Sequence, residues 1–322
     1  MREDLPIIAV TRRLPGEIAV DGAATRVFED GTPTRGQTLE LVRGAAGLIT
    51  WATDRVDAEL MQAAGDQLQV VSNYAVGFDN IDLEFCRARG ISVTNTPDVV
   101  TEGTANIAIA LMLGAGRRVV EGDRYARSGR WAQDGGLGPA EFLGVDFTGR
   151  LFVVLGAGRI GLATAHRARA FGMRIAYVAR SRHLDFELAP LGAERLDLED
   201  ALERADVLSI HCPLTPDTRG MIDAHALGRM KPTALLVNTA RGPIVDEAAL
   251  AAAIREGRLF GAGLDVFEHE PRVHDDLVEL DRVVMTPHIG SAEDRWRREM
   301  TRTACANAAA VLAGREPISR VV

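Results

Sequence analysis

The chain has 322 residues, of which 47% are hydrophobic and 25% charged, ordinary values for a globular protein with room for two domains. Its net charge of -8 argues against a general nucleic-acid or anionic-membrane surface. Three widely spaced cysteines indicate a reducing compartment without a disulfide framework, and no motif predicts a metal site. We therefore expect a cytoplasmic protein, with no signal peptide and no membrane span, that binds neither nucleic acid nor metal.

The first hundred residues alternate between strand-like and helix-like stretches. Short apolar runs predict strands at residues 6–10, 45–52, 68–75 and 91–97. Helix-like stretches lie between them at 57–65 and 80–90, and the second begins at Asn80 and ends at Gly90. Because strands that alternate with helices form parallel sheets, residues 1–98 are predicted to be one α/β unit.

Residues 101–129 predict one long helix, which is followed by a glycine-rich, loop-like stretch. The apolar residues of this helix continue almost all round its circumference. A helix of that kind is buried either in a core or in a subunit interface. We therefore expect a homodimer built on the stretch from Thr104 to Val120.

A second set of strands is predicted to begin at residues 151, 174, 207, 234, 261 and 282. Helical stretches at 160–171, 198–203 and 247–256 separate most of them. Residues 99–287 therefore predict a doubly wound dinucleotide-binding domain. The last stretch, 292–314, is an amphipathic helix, and we assign 288–322 to the first domain. The expected fold is α/β, with two doubly wound parallel sheets: a Rossmann-type cofactor domain and a flavodoxin-like substrate domain.

The sequence "GAGRIG" lies between an apolar strand and a helix, which is the context of a dinucleotide-binding loop. Gly156 permits the tight turn, Gly158 lets the backbone approach a pyrophosphate, and Gly161 lets the helix pack against the strand. Amides at the start of the helix would then bind the phosphates.

The end of the next strand, "YVARSR", lacks the acidic residue that usually accepts the ribose hydroxyls of NAD. Ala179 stands near that position, and Arg180, Ser181 and Arg182 follow it. Guanidinium groups bind phosphate well, whereas a carboxylate would repel the extra phosphate of NADPH. The motif therefore favours NADPH, with NADH as a weaker cofactor.

Three later motifs follow strands of the second sheet: "VNTARGPIVD", "GAGLDVFEHEP" and "TPHIGSA". Together with "GAGRIG" they resemble the D-isomer-specific 2-hydroxyacid dehydrogenases, and the resemblance extends to "NYAVGFDNID" and "TNTPDVVTEGTA". It covers nearly the whole chain. Within the family, the chain looks most like glyoxylate and hydroxypyruvate reductases.

The resemblance implies that Arg241, Glu270 and His288 are the catalytic residues. A histidine titrates near neutral pH and suits the proton donor of keto-acid reduction. Glu270 would orient the imidazole, and Arg241 would bind the substrate carboxylate and polarise the carbonyl. Neighbouring Glu268 is a rival for the role of Glu270, but the family pattern places the acid directly before the proline.

The resemblance also implies a set of binding residues. The substrate would contact Ala52, Val76, Gly77 and Arg241, with Trp51 and, more weakly, Trp131 shaping the pocket. Asp265 would lie near the nicotinamide, and His211 is a further candidate for a cofactor contact. The remaining cofactor contacts would come from Arg159, Ile160, Pro213, Thr218, Thr239, Ala240, His288 and Gly290.

Three functions stay open at this stage. The first is an NADPH-preferring reductase of glyoxylate and hydroxypyruvate. The second is another D-2-hydroxyacid dehydrogenase, for example of the D-lactate type or the phosphoglycerate type, although no stretch resembling the regulatory domain of many phosphoglycerate enzymes is present in the sequence. The third is an NAD(H)-sensing binding protein, a branch of the same family that binds protein partners.

Overall fold

The computed structural model describes residues 5–322, which form two compact units. The first unit contains the chain up to Val100 together with Ser291–Val322, and the second contains Thr101–Gly290. Within the described residues, no helix has both the length and the apolar character needed to cross a membrane.

The first unit is built on a five-stranded parallel sheet in the order β2-β1-β3-β4-β5. Its strands are β1 Ile7–Val10, β2 Ala24–Val27, β3 Gly47–Trp51, β4 Val70–Tyr74 and β5 Ser92–Thr94. Its helices are α1 Arg35–Leu41, α2 Ala58–Ala64, α3 Leu83–Arg89 and the last helix of the chain, α13 Asp294–Leu312. This strand order is that of the flavodoxin-like fold, as predicted.

Helix α13 packs on the sheet of the first unit, although more than 190 residues separate it from β5 in sequence. The hydroxyl of Ser72 on β4 donates to the carbonyl oxygen of Ala304 at 2.9 Å. The amide of Asn307 donates to the carbonyl oxygen of Asn95 at 3.1 Å. These side chain to backbone bonds satisfy buried polar groups where the helix crosses the strands.

The second unit is built on a seven-stranded parallel sheet in the order β12-β11-β10-β9-β6-β7-β8. Its strands are β6 Leu151–Leu155, β7 Arg174–Val178, β8 Glu194–Arg195, β9 Val207–Ile210, β10 Leu235–Asn238, β11 Gly261–Leu264 and β12 Val283–Met285. Its helices are α4 Thr101–Gly116, α5 Val119–Arg127, α6 Arg130–Gln133, α7 Arg159–Ala170, α8 Leu184–Glu187, α9 Leu198–Arg204, α10 Ala224–Arg229, α11 Glu247–Arg255 and α12 Asp275–Val278. This order is that of a Rossmann sheet, which confirms the predicted fold class.

Both faces of this sheet are buried, so its strands are apolar on consecutive residues. On β6, Leu151, Val153 and Leu155 pack into one core, whereas Phe152 and Val154 pack into the other. All five are less than a tenth exposed. Because all strands of this sheet are parallel, their carboxyl ends lie at one edge. Open α/β sheets bind ligands at that edge.

The predicted long helix is two helices, and most of the first one is buried within its own unit. Helix α4 ends at Gly116, and Arg118, with a φ of +53°, separates it from α5. Most apolar residues of α4 are buried in the core of its own unit, where Ala108, Leu111 and Met112 are almost fully covered. Helix α4 is apolar on most faces because it lies against this unit's own strands and α7.

The short elements that sequence patterns did not reveal are β2, β8, α1, α6, α8, α10 and α12. The exposed residues of β2 and β8 lack an apolar pattern because both are edge strands. Helix α3 begins after Asp82, whose side chain accepts from the N–H of Phe85, and not at Asn80. The amide of Asn80 instead donates to the carbonyl oxygens of Trp51 and Asp54.

Candidate active site

The turn between β6 and α7 carries the three glycines. Gly156 has a φ of +106°, and a Cβ there would lie 2.5 Å from the backbone nitrogen of Cys212. A Cβ on Gly161 would lie 2.5 Å from the carbonyl oxygen of Gly156, whereas one on Gly158 would meet no atom within 4 Å. The surface above Gly158 is therefore open. No side-chain hydrogen bond caps the first turn of α7, and an uncapped helix N-terminus of this kind suits a phosphate-sized anion.

Two neighbouring strand ends provide further polar groups at this edge. The hydroxyl of Thr239, directly after β10, is buried and has no hydrogen-bond partner within the described residues. A buried orphan hydroxyl is costly unless a ligand satisfies it, so Thr239 fits a cofactor site. After β9, the hydroxyl of Thr218 donates to the carbonyl oxygen of Pro213 at 2.7 Å and holds that loop together.

His211, which directly follows β9, is not a proton donor at neutral pH. Burial lowers its pKa to about 3, so its imidazole is neutral. Its Nε2 lies 2.8 Å from the hydroxyl of Ser209, and its Cβ lies close to Gly161. His211 therefore lies beside the glycine turn as an uncharged residue.

The basic motif lies in the turn after β7, where Arg180, Ser181 and Arg182 are all exposed. The guanidinium of Arg182 is held by Glu187 through its Nε, 3.0 Å from Oε2, and through Nη2. The hydroxyl of Tyr177 also donates to Glu187, at 2.7 Å. Arg180 has no ion-pair partner within residues 5–322.

Arg241 stands after β10, at the start of a short 3₁₀ turn, Gly242–Ile244. Its Nη1 donates to the carbonyl oxygen of Ala240, and the N–H of Ala240 donates to the side-chain oxygen of Asn238. The same Asn238 donates through Nδ2 to the carbonyl oxygen of Arg241 at 2.9 Å. One buried side chain therefore fixes the backbone on both sides of Arg241.

Gly242 brings two loops into direct contact. A Cβ on this residue would lie 1.9 Å from the carbonyl carbon of Phe267. The N–H of Phe267 in turn donates to Oε1 of Glu270 at 3.0 Å. The loop that carries Arg241 and the loop that carries Glu270 are thus packed backbone against backbone.

Glu270 and His288 form a hydrogen-bonded pair. Oε2 of Glu270 lies 2.8 Å from Nδ1 of His288, and both side chains are about a quarter exposed, at 20% and 32%. Burial alone would raise the pKa of Glu270, but the hydrogen bond and charge of His288 outweigh it, with a contribution from Arg241, and the pKa is lowered. Glu270 is therefore ionised at neutral pH.

Glu268, the rival acid, contacts Glu247 and not His288. Its N–H donates to Oε1 of Glu247 at 2.7 Å, and its own Oε1 accepts a longer bond from the N–H of Glu247 at 3.4 Å. Burial raises the pKa of Glu247. The geometry thus joins Glu270, and not Glu268, to His288.

Asp265 organises the loop that presents His288. Its carboxylate, which is 1% exposed, accepts from the hydroxyl of Thr286 at 2.6 Å and from the N–H groups of Ile289 and Gly290 at 2.8 Å. Burial raises its pKa, although these donors counteract the effect. His288 itself has a φ of +52°, a left-handed conformation that is uncommon outside glycine. The sequence did not reveal this role of Asp265, since its donors come from residues more than 20 positions away.

The predicted substrate residues Ala52, Val76 and Gly77 belong to the first unit and follow β3 and β4. The side chain of Asn95 donates to the carbonyl oxygen of Val76 at 2.8 Å, and that of Asn73 donates to Gly77 at 2.7 Å. The two peptide groups therefore have fixed orientations.

Trp51 and Trp131 lie in different surroundings. Trp51 stacks on Tyr74 with ring centroids 5.5 Å apart, and the guanidinium groups of Arg12 and Arg297 lie within 6 Å of its ring. Trp131 is 55% exposed. Trp51 is therefore packed between aromatic and guanidinium groups, whereas Trp131 lies mostly at the surface.

Residues 109–290 match the family model described as "D-isomer specific 2-hydroxyacid dehydrogenase, NAD binding domain". The match covers more than half of the chain, and the chain belongs to this family of dehydrogenases, which confirms the resemblance. Among its relatives are glyoxylate reductases. The enzyme of Korarchaeum cryptofilum is 47% identical over 97% of this chain and 94% of its own length, and that of Pyrococcus furiosus is 46% identical over the same shares.

Solved structures agree with this assignment. A protein of Thermus thermophilus superposes with a TM-score of 0.90 at 46% identity, over 98% of this chain and all of its own. An NADPH-dependent glyoxylate/hydroxypyruvate reductase of Sinorhizobium meliloti, crystallised with NADP and malonate, has a TM-score of 0.83 at 34% identity, over 98% of this chain and 97% of its own.

Proposed function

We propose that this protein is an NADPH-preferring reductase of small 2-keto acids, which converts glyoxylate to glycolate and hydroxypyruvate to D-glycerate. The observation that carries the proposal is the 2.8 Å contact between the ionised Glu270 and His288, in a chain whose relatives include glyoxylate reductases. The second unit is the proposed cofactor domain, and the first unit is the proposed substrate domain.

His288 is the proposed proton donor to the carbonyl oxygen of the substrate. The carboxylate of Glu270 accepts a hydrogen bond from Nδ1–H of His288, so it orients the imidazole and stabilises its protonated form. Nε2 is then the atom that delivers the proton. Arg241 is proposed to bind the substrate carboxylate and to polarise the carbonyl, and the N–H groups of Val76 and Gly77 are proposed to contribute to substrate binding.

The cofactor, when bound, supplies the hydride for C2 of the keto acid. The residues present fit such a group, because Thr239 offers a buried hydroxyl without a partner and the turn at Gly158 is open above its backbone. The uncapped first turn of α7 would hold the pyrophosphate. The preference for NADPH is supported by the basic turn at Arg180 and by the name of the relative from Sinorhizobium meliloti.

The test of this function is a steady-state screen of small 2-keto acids, with NADPH and NADH measured side by side. We expect turnover of glyoxylate and hydroxypyruvate, with a higher kcat/KM for NADPH. If pyruvate or phosphohydroxypyruvate exceeds both substrates, the chain is a dehydrogenase of another specificity. If the protein binds cofactor but turns over no keto acid, it is a binding protein.

Changing Glu270 to glutamine should move the alkaline limb of the pH–rate profile for keto-acid reduction to lower pH. The reaction needs protonated His288, and the variant lacks the carboxylate that contacts Nδ1 at 2.8 Å and stabilises that form. The measurement is kcat/KM for glyoxylate reduction across pH 5 to 9. Glu268→Gln is the matched control, since Glu268 contacts Glu247, and an unmoved limb in Glu270→Gln would refute the assignment.

We also propose that the protein is a homodimer, with residues 119–143 in its interface. Residues 119–143 are almost entirely exposed in the single chain and carry large apolar side chains. Val119, Trp131, Leu137 and Leu143 are 47–61% exposed. An apolar surface of this kind favours association between identical chains.

Light scattering at micromolar concentration should return twice the 34.7 kDa mass of one chain. A double change, Leu137→Glu with Leu143→Glu, should shift the mass to that of a monomer, because it buries two carboxylates in the proposed interface. Ile318→Glu is the control, since Ile318 is 70% exposed and lies outside the segment. A monomeric wild type would contradict the proposal.

A further inference from the structure

A cavity of about 550 Å³ lies at the carboxyl end of β7 and β8, within the second unit. Its apolar wall is formed by Val178, Ala179 and Leu196. The charged side chains that line it are Arg182, Glu187, Arg195 and Asp197. The basic turn at residues 180–182 borders this cavity. The cations that line the cavity are therefore the ones that a bound ligand can contact.

Arg182 is the less available of the two lining cations. Glu187 holds its Nε and Nη2. The hydrogen bonds from Arg182 and Tyr177 lower the pKa of Glu187 to about 2, so this acid is ionised at every working pH. A phosphate that approached Arg182 would therefore meet a neutralised ion pair in place of an available guanidinium.

Arg195, unlike Arg182, contacts backbone carbonyl groups and no carboxylate within the described residues. It lies on β8, and its guanidinium reaches under the basic turn, where Nε and Nη2 donate to the carbonyl oxygen of Ala179 at 3.1 and 2.9 Å. Nη2 also donates to the carbonyl oxygen of Arg180 at 3.0 Å. No carboxylate pairs with Arg195 within residues 5–322, and its Nη1 makes no hydrogen bond there.

The remaining acid of the cavity does not cancel this charge by contact. Oδ1 of Asp197 caps α9 by accepting from the N–H of Asp200 at 2.8 Å. With Arg182 and Glu187 paired, the groups left around the turn are Arg180, Arg195 and Asp197. One positive charge is therefore in excess.

We propose that Arg195 is a specificity-determining residue that binds the 2′-phosphate of the adenosine ribose together with Arg180, whereas Arg182 is held aside by Glu187. This inference rests on the proposed preference for NADPH. Arg195 has two roles in this proposal. Nη1 binds the phosphate, and Nε and Nη2 hold the backbone of the turn in place for Arg180 and Ser181.

The test compares two probes that undergo no reaction, adenosine 2′,5′-bisphosphate and adenosine 5′-monophosphate, by calorimetric titration of the full chain. Arg195→Gln retains an amide that can donate to the carbonyl oxygens of the turn but removes the charge. We expect it to weaken bisphosphate binding about 10-fold or more, since it removes a charge-assisted contact. Binding of the monophosphate should stay within about twofold.

Three further variants keep the test decisive. Arg182→Gln is the matched control on the same cavity, with an expected loss of less than about threefold. Arg195→Met preserves the apolar stem and serves if the glutamine variant does not fold. Arg195→Lys retains the charge and should keep most of the preference for the bisphosphate, which a purely structural role would not allow.

The outcomes separate this inference from the proposed function. If wild type prefers the bisphosphate but Arg195→Gln is unchanged, or weakens both probes equally, or loses less than Arg182→Gln, Arg195 does not bind the phosphate and the NADPH preference stands. If wild type does not distinguish the two probes, the NADPH preference fails, and this inference fails with it.

Discussion

Changing His288 to asparagine is expected to lower kcat for glyoxylate reduction by roughly 100- to 10,000-fold, the usual contribution of general acid–base catalysis. Asparagine is the appropriate replacement because His288 has a φ of +52°, and asparagine tolerates the left-handed region better than most residues. The loop should therefore keep its shape, since Asp265 holds it through backbone N–H groups. Dissociation constants for NADPH should change little.

The measurement is kcat under saturating substrate, with cofactor binding followed separately by fluorescence. His225→Asn is the matched control, because His225 is exposed and lies on α10. An activity of His288→Asn within about threefold of wild type would mean that another group donates the proton.

Changing Arg180 to alanine is expected to raise KM for NADPH about 10- to 150-fold and to leave KM for NADH almost unchanged. One hydrogen bond to a charged group contributes ~1.5–3 kcal/mol, and each ~1.4 kcal/mol corresponds to a factor of ten. Arg180 is exposed, so solvent screening favours the lower end of this range. NADH lacks the phosphate and gains nothing from the arginine.

The converse change, Ala179→Asp, should shift the preference towards NADH. It introduces a carboxylate that accepts the ribose hydroxyls and repels the phosphate. Arg169→Ala is the control for a change of net charge, because Arg169 lies in the last turn of α7, away from the carboxyl ends of the strands. Equal effects of Arg180→Ala on both cofactors, or a wild type that already prefers NADH, would show that this turn does not select the cofactor.

The buried strands were predictable because apolar residues on both faces leave a clear signal. Residues of β6 are buried without interruption, and an apolar run of that length, followed by the glycine-rich turn, is typical of a fully buried strand. Edge strands give no such signal. Glu194–Arg195 is a two-residue exposed strand, and only its pairing with β7 identifies it.

Helix α4 shows where periodicity stops being informative. Apolar residues on most faces of a helix predict burial but do not identify the partner, and most of those in α4 pack within the helix's own unit. The dimer proposal therefore moves to residues 119–143, whose exposure only the structure provides.

In the candidate site, too, the sequence predicts some features and only the structure provides the others. Residue types and their order predict which side chains carry the chemistry, as with Glu270 and His288. The contacts that decide whether a charged side chain is available to a ligand depend on tertiary geometry. The ion pair of Arg182 with Glu187 and the three donors to Asp265 are of this kind, and no spacing in the sequence predicts them.

The close approach at Gly242 has a consequence for building chimaeras from this chain and its relatives. Because no Cβ fits between Gly242 and Phe267, the two loops must be complementary at backbone level. A crossover point between residues 245 and 265 would join one parent's Arg241 loop to another parent's Glu270 loop. Such recombinants should lose activity far more often than those in which both loops come from one parent, even when every catalytic side chain is retained.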